Sequence, residues 1–174
     1  MTEVRGQDGS NEVADLELAR ALDVASGVPD PEVPCVTVAD LGILRSVSRD
    51  EAGRIVVRLT PTYSGCPAVI AIEMAVQTAL LSAGIEATIE RVITPAWTTD
   101  WISAEGREKL RAYGIAPPVG SSGGRRAFFS EDVIACPRCG STRTTKVSEF
   151  GSTACKAHYR CDDCAEPFDY FKCI

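Results

Sequence analysis

Two runs of the chain, residues 43–49 and 54–60, alternate apolar with polar positions, and Asp50-Glu51-Ala52-Gly53 separates them. A period of two on both sides of an acid-and-glycine turn predicts a β-hairpin. Residues 68–83 are apolar on most sides, which predicts a largely buried helix closed by Gly84. Residues 85–93 alternate again and predict a third strand. Upstream, residues 13–25 carry a helical spacing in which Leu16, Leu18, Leu22 and Ala25 share a face, with Asn11 as N-cap and Gly27 as stop. Downstream, Ser103 is placed to cap a helix that runs to Tyr113 and ends at Gly114.

The segments between these elements are equally legible. GVPDPEVP, with three prolines, cannot be a regular element and is expected to be a fixed loop. Pro61 to Pro67 (PTYSGCP) is a second loop. The run beginning Pro117-Pro118-Val119-Gly120 and continuing in serine and glycine is the clearest linker. Residues 1–12 show no such pattern and are expected to be disordered. The order of elements predicts an α+β fold: a domain at 13–116 with a small mixed sheet and packed helices, a linker at 117–130, and a C-terminal zinc-ribbon module at 131–174.

Composition adds bounds. The chain has 174 residues, 45% hydrophobic and 24% charged, with a net charge of -6. An acidic balance argues against a nucleic-acid partner, which requires a basic face. The longest apolar stretch, 68–83, is interrupted by Glu73 and Gln77 and is shorter than the ~20 residues that span a bilayer, so no membrane partner is expected. The polar, acidic start lacks the apolar core of a secretory signal, and the expected location is the cytoplasm.

Eight cysteines in such a chain point to metal or reactive thiols before disulfides. Six of them fall at or after residue 136. Cys136-Pro-Arg-Cys139 and Cys161-Asp-Asp-Cys164 are two C-x2-C knuckles, each a tight turn that aims two thiolates at one point. Gly140 follows the first knuckle, where the turn needs unusual dihedrals. Zinc is the ordinary occupant of four thiolates, and iron or a cluster the minority one. So short a segment buries little core, and the metal would supply much of its folding energy. Cys155 and Cys173 are surplus to that site; they fit either as small buried hydrophobes or as extra thiols for a labile metal.

In the first domain, Asp30 and Glu32 sit in the proline-fixed loop. They fit either as caps of backbone donors in a tight turn or as a carboxylate pair lining a site. Cys66 lies between Gly65 and Pro67, just before the predicted buried helix. There the free N–H groups and dipole of a helix start favour a thiolate, although a buried small residue would suit the position as well.

DPEVPCVTVADLGIL followed by LTPTYSGCP resembles the domain of SufT-type and related iron–sulfur assembly factors. PAWTTDWISAEGREKLRAYGIAPP, CPRCGS and FGSTACKAHYRCDDCAEPFDYFKCI are similar to the PaaD family of the bacterial phenylacetyl-CoA 1,2-epoxidase system. The resemblance implies an accessory component of aerobic phenylacetate degradation that assists iron–sulfur cluster or metal insertion into a client. Its partners would be the oxygenase and reductase subunits, and a homodimer is a further expectation. It also implies motif roles for Asp30, Glu32, Thr62 and Cys66, with Cys66 the reactive position; a transient cluster or iron would be handled there, and zinc in the ribbon.

The chain itself carries no Glu-x-x-His pair, no nucleotide-binding glycine loop and only one histidine, His158. No catalysis of its own is therefore expected. Either it carries metal for a client, or it is an adaptor whose zinc ribbon and Trp97–Trp101 loop dock one.

Overall fold

The computed structural model describes residues 8–63, 65–119 and 133–172. Helix α1 covers Asp8–Ser26 and is followed by the loop 27–43. Strands β1 (Leu44–Arg49) and β2 (Ile55–Leu59) form the predicted hairpin, pairing antiparallel with Val47 opposite Val57. Asp50 closes it, since its Oδ1 accepts from the backbone N–H groups of Ala52 and Arg54 at 3.0 and 2.9 Å. Helix α2 (Val69–Ser82) then carries the chain to β3 (Ala87–Arg91), which pairs parallel to β2. The resulting sheet has the order β1-β2-β3. As the middle strand, β2 buries Ile55, Val56, Val57 and Leu59, as a strand covered on both faces does.

Helix α3 (Ala104–Tyr113) begins where expected. The Ser103 hydroxyl accepts the Gly106 N–H at 2.9 Å, and Gly114, at φ 96°, closes the other end. The other two helices each need a correction. Residues 8–12, expected to be disordered, continue the backbone of α1, because extending an existing helix adds one hydrogen bond per residue fixed. The inward face of α1 is Ala21 and Ala25, not Leu16 and Leu22, which are 66% and 47% exposed; the small alanines let the helix approach closely.

Helix α2 buries Val69, Ile72, Val76 and Leu80, a stripe of helical period. Yet Ile70, Met74 and Leu81 stand more than half exposed, so burial is confined to that stripe. A three-stranded sheet covers only one side of a helix, and an apolar periphery does not guarantee burial. No helix among the described residues is long and apolar enough to cross a membrane.

The second sheet joins the C-terminal strands β5 (Thr144–Ser148), β6 (Lys156–Cys161) and β7 (Pro167–Phe171) to β4 (Ile115–Ala116), in the order β4-β7-β6-β5. Strand β4 lies within the span that the sequence assigns to the first domain, but it pairs parallel to β7. Its two residues split between two cores. Ile115 packs into the large core of helices and first sheet, and Ala116 into a small one with Ile134, Ala157, Phe168 and Tyr170. Strand β7 divides in the same way, with Phe171 reaching the large core. Cys155, just before β6, joins it there. The two modules thus share buried surface. The expected linker 117–130 lies outside the described residues from position 120 onward.

Candidate functional site

Four thiols converge at one end of the second sheet. Each knuckle is built by backbone hydrogen bonds: Gly140 N–H to Cys136 C=O at 2.9 Å, Cys136 N–H to Ser141 C=O at 2.8 Å, and Cys161 N–H to Glu166 C=O at 2.9 Å. The residue after each second cysteine takes positive φ, 76° at Gly140 and 61° at Ala165, so two unlike sequences make the same turn. The Sγ atoms of Cys136, Cys139, Cys161 and Cys164 all lie within 4.8 Å of one another. Cys136 and Cys164 are 3.8 Å apart, and Cys139 and Cys161 3.6 Å. A tetrahedron of thiolates at ~2.3 Å from a central ion has edges of about 3.8 Å. The donor set fits a four-coordinate thiophilic metal.

The charges agree with this. A backbone donor at Ser141 favours the Cys139 thiolate, but the neighbouring sulfurs and burial outweigh it and push Cys139 up to about 12. Cys164 is likewise raised, whereas Cys161 is lowered, chiefly by a backbone hydrogen bond at Cys164. Four thiolates repel one another until a cation compensates them.

The second cluster lies in the first domain. The proline-fixed loop, the PTYSGCP loop and the start of α2 enclose a cavity of about 20 Å³, room for roughly one water molecule. Asp30, Glu32, Thr62 and Cys66 all line it, and so do Cys155 and Phe171 of the C-terminal module. Residues 30 and 66 are far apart in sequence, and only the fold brings them to one wall.

Their local roles differ. Asp30 is buried, and its Oδ1 accepts from the N–H groups of Glu32 and Val33, both at 2.8 Å, so it caps the turn. Glu32 is half-buried, and its carboxylate has no hydrogen bond or ion pair among the described residues. Thr62 is buried, and Cys66 is half-buried. Cys66 precedes α2, and its carbonyl accepts the Val69 N–H at 3.3 Å; α2 has no side-chain N-cap and no acidic residue in its first turn. Ser64 and Cys173 lie outside the described residues.

Burial pushes the Cys155 thiol up, against the neighbouring Thr153 hydroxyl, and Glu32 raises it further. The Tyr63 hydroxyl is also raised, by burial first and then by Cys66, Cys155 and Glu32. The position of Cys155 beside Glu32 is what sequence reasoning missed, since nothing in the spacing of the tail links it to the first domain. Cys35, half-buried, does not line the cavity.

The D-L-G turn beside this cavity is structural. Asp40 Oδ2 accepts the Thr37 N–H at 2.9 Å and the Lys109 ammonium at 2.9 Å, and Thr37 Oγ1 accepts the Asp40 N–H at 3.1 Å. Gly42 takes φ 67°, and a Cβ there would lie 2.6 Å from Trp101 Cβ. Trp97 is buried, with Nε1 donating to the Leu41 carbonyl at 2.8 Å, and Arg45 stacks over Trp101 at 3.5 Å. Trp97 is therefore a core residue and no docking surface.

This pairing of a small α+β domain with a four-thiol β-ribbon defines an iron–sulfur-assembly-type domain joined to a zinc ribbon. Residues 18–92 match the iron–sulfur cluster assembly protein family, and residues 121–172 the PaaD zinc beta ribbon domain. The chain is 51% identical over 150 residues, 86% of its length, to a protein of Escherichia coli (strain K12) named as the D component of 1,2-phenylacetyl-CoA epoxidase, 88% of which is covered. It belongs to the PaaD family. The fold of the first domain also resembles the crystal structure of a domain of unknown function, DUF59, from Bacillus anthracis, with a TM-score of 0.52, 24% identity, and 57% of this chain and 96% of that one covered.

Proposed function

We propose that the protein is a maturation component of the bacterial phenylacetyl-CoA 1,2-epoxidase system in aerobic phenylacetate degradation. It assists insertion of iron or an iron–sulfur cluster into an oxygenase or reductase subunit. Zinc on Cys136, Cys139, Cys161 and Cys164 holds the ribbon together; bound there, it supplies cross-linking rather than chemistry. One observation carries this reading: Glu32, distant in sequence from Thr62 and Cys66, walls one small cavity with them in a domain that matches the iron–sulfur assembly family. A thiol and a carboxylate with no partner among the described residues are donors for a ferrous ion, and the cargo would enter at Cys66. The only histidine, His158, faces Asp169 at 3.4 Å and is no part of that wall.

The test is a strain lacking the protein. It should produce the other subunits yet fail to grow on phenylacetate, and its reductase should lack iron and acid-labile sulfide. Cys66→Ser should fail to restore growth. If Cys66→Ser restores growth fully, or the clients carry full iron and sulfide without the protein, the adaptor alternative holds, with the zinc ribbon docking oxygenase or reductase subunits.

A further inference from the structure

The cavity beside α2 is walled by both modules, and the C-terminal one contributes a thiol. We infer that Cys155 is the second thiolate of the metal-handling site: Cys66, Cys155 and Glu32 together bind one divalent cation of the ferrous class. This rests on the reading of Cys66 as the point of entry, and it adds that the ribbon supplies half of the sulfur.

Three observations lead there. Both thiols and Glu32 line the same enclosed space. That space, about 20 Å³, suits one ion and not a cluster. Of the two carboxylates, that of Asp30 is committed to two backbone donors, while that of Glu32 has neither a hydrogen bond nor an ion pair among the described residues. Two sulfurs and one oxygen form a donor set for borderline cations such as Fe(II) and Co(II), not for Mg(II) or Ca(II).

Cys155 is the fixed member. Its carbonyl accepts the Lys172 N–H at 3.0 Å, its thiol lies 3.0 Å from Thr153 Oγ1, and its side chain is buried in the large core. Cys66 and Glu32 are half-buried on loops, their backbones held by hydrogen bonds, so a change of side-chain rotamer at these two would bring their donor atoms to Cys155. Among the described residues only the ribbon tetrad has its ligand atoms already mutually within 4.8 Å, so this second site assembles on binding. Binding releases the two thiol protons to solvent and leaves a divalent cation held by two thiolates and one carboxylate, a site with one net negative charge. Because Cys155 reaches the cavity only when the second sheet is folded, metal in the tetrad is a precondition for the site.

The full chain, zinc-loaded and free of oxygen, is titrated with Co(II), which does not displace zinc from four thiolates. Wild type should take one further equivalent with near-ultraviolet thiolate-to-cobalt absorption. Cys155→Ala should halve that absorption. It should also weaken binding by at least the roughly tenfold that loss of even an outer-sphere partner costs, with zinc content unchanged. Glu32→Gln should weaken binding and keep the absorption, and Cys35→Ser should change neither. Wild-type absorption and affinity in Cys155→Ala, with loss in Cys66→Ser, would overturn this inference and leave the proposed function standing. No further equivalent in wild type, or full binding in Cys66→Ser, would overturn both. A second measurement needs no variant: phenylarsine oxide, which condenses with two adjacent thiols and releases water, should bridge the Cys66 and Cys155 peptides in the mass spectrum. Absence of that bridge counts against the pair.

Discussion

The rings of Trp97 and Phe171 pack with centroids 6.3 Å apart and planes tilted by 50°, and this contact ties the C-terminal sheet to the core of the first domain. Both side chains are buried, and Trp97 Nε1 reaches back to Leu41. Aromatic pairs of this kind contribute about 0.5–1.5 kcal/mol beyond the area they bury. A ribbon insulated by a linker would make no such contact.

Phe171→Ala should therefore weaken the first domain as well as the ribbon, by about 3–5 kcal/mol, the usual cost of removing a buried ring. Chelation of the ribbon metal should shift the same transition. Urea unfolding followed by tryptophan fluorescence reads both. A transition unmoved by either change would mean that the modules unfold independently.

Gly42→Ala should cost more than Gly53→Ala. Both glycines take positive φ, 67° and 78°, and a side chain at either meets backbone strain of about 1–3 kcal/mol. Only at Gly42 does the new Cβ also collide with Trp101, at 2.6 Å, whereas nothing lies within 4 Å at Gly53. Overpacking adds a further cost of about 1–3 kcal/mol. Equal urea midpoints for the two variants would contradict the close approach at the D-L-G turn.

Asp40 gives the chain part of its acid sensitivity. Burial alone would raise its carboxyl, but the Thr37 N–H and the Lys109 ammonium outweigh burial and hold it below the usual range. A group depressed in the folded state contributes stability that is complete above its unfolded value, about 3.9, and is lost as pH falls through the folded value. Asp40→Asn should flatten unfolding free energy against pH below about pH 4, with the chain less stable near neutrality. An unchanged acid limb in this variant would mean that other carboxylates set it.

Ile72→Glu should unfold the first domain, and Met74→Glu should not. Two residues apart on α2, these side chains are 3% and 64% exposed. A carboxylate at Ile72 would be buried unpaired, at several kcal/mol, whereas one at Met74 remains in water. Equal melting temperatures would place α2 differently against the sheet.

Local signals were readable from sequence because each depends on a few consecutive residues. Asp50 and Gly53 make the hairpin turn, Ser103 caps α3, and Gly114 ends it, all through dihedrals and hydrogen bonds within about four positions. The C-x2-C spacing likewise sets each knuckle through backbone hydrogen bonds within about five positions. Which side of α2 faces water was not readable, because its sequence is apolar on both; the width of the sheet decides that. The D-P-E loop, Thr62 and Cys66 could be picked out by resemblance, yet not the split between Asp30, spent on its own turn, and Glu32, left without a partner among the described residues.

Cys155 marks the boundary most sharply. By itself the sequence determined a metal tetrad in the tail and a cysteine loop before a helix in the first domain. The tertiary structure alone brought Cys155 and Phe171 into the first domain's core and placed Ile115 and Ala116 in different cores. The physical reason is that hydrophobic burial has no direction along the chain: it rewards any apolar or thiol side chain that fills the remaining space, and that space exists only once the helices and both sheets have packed.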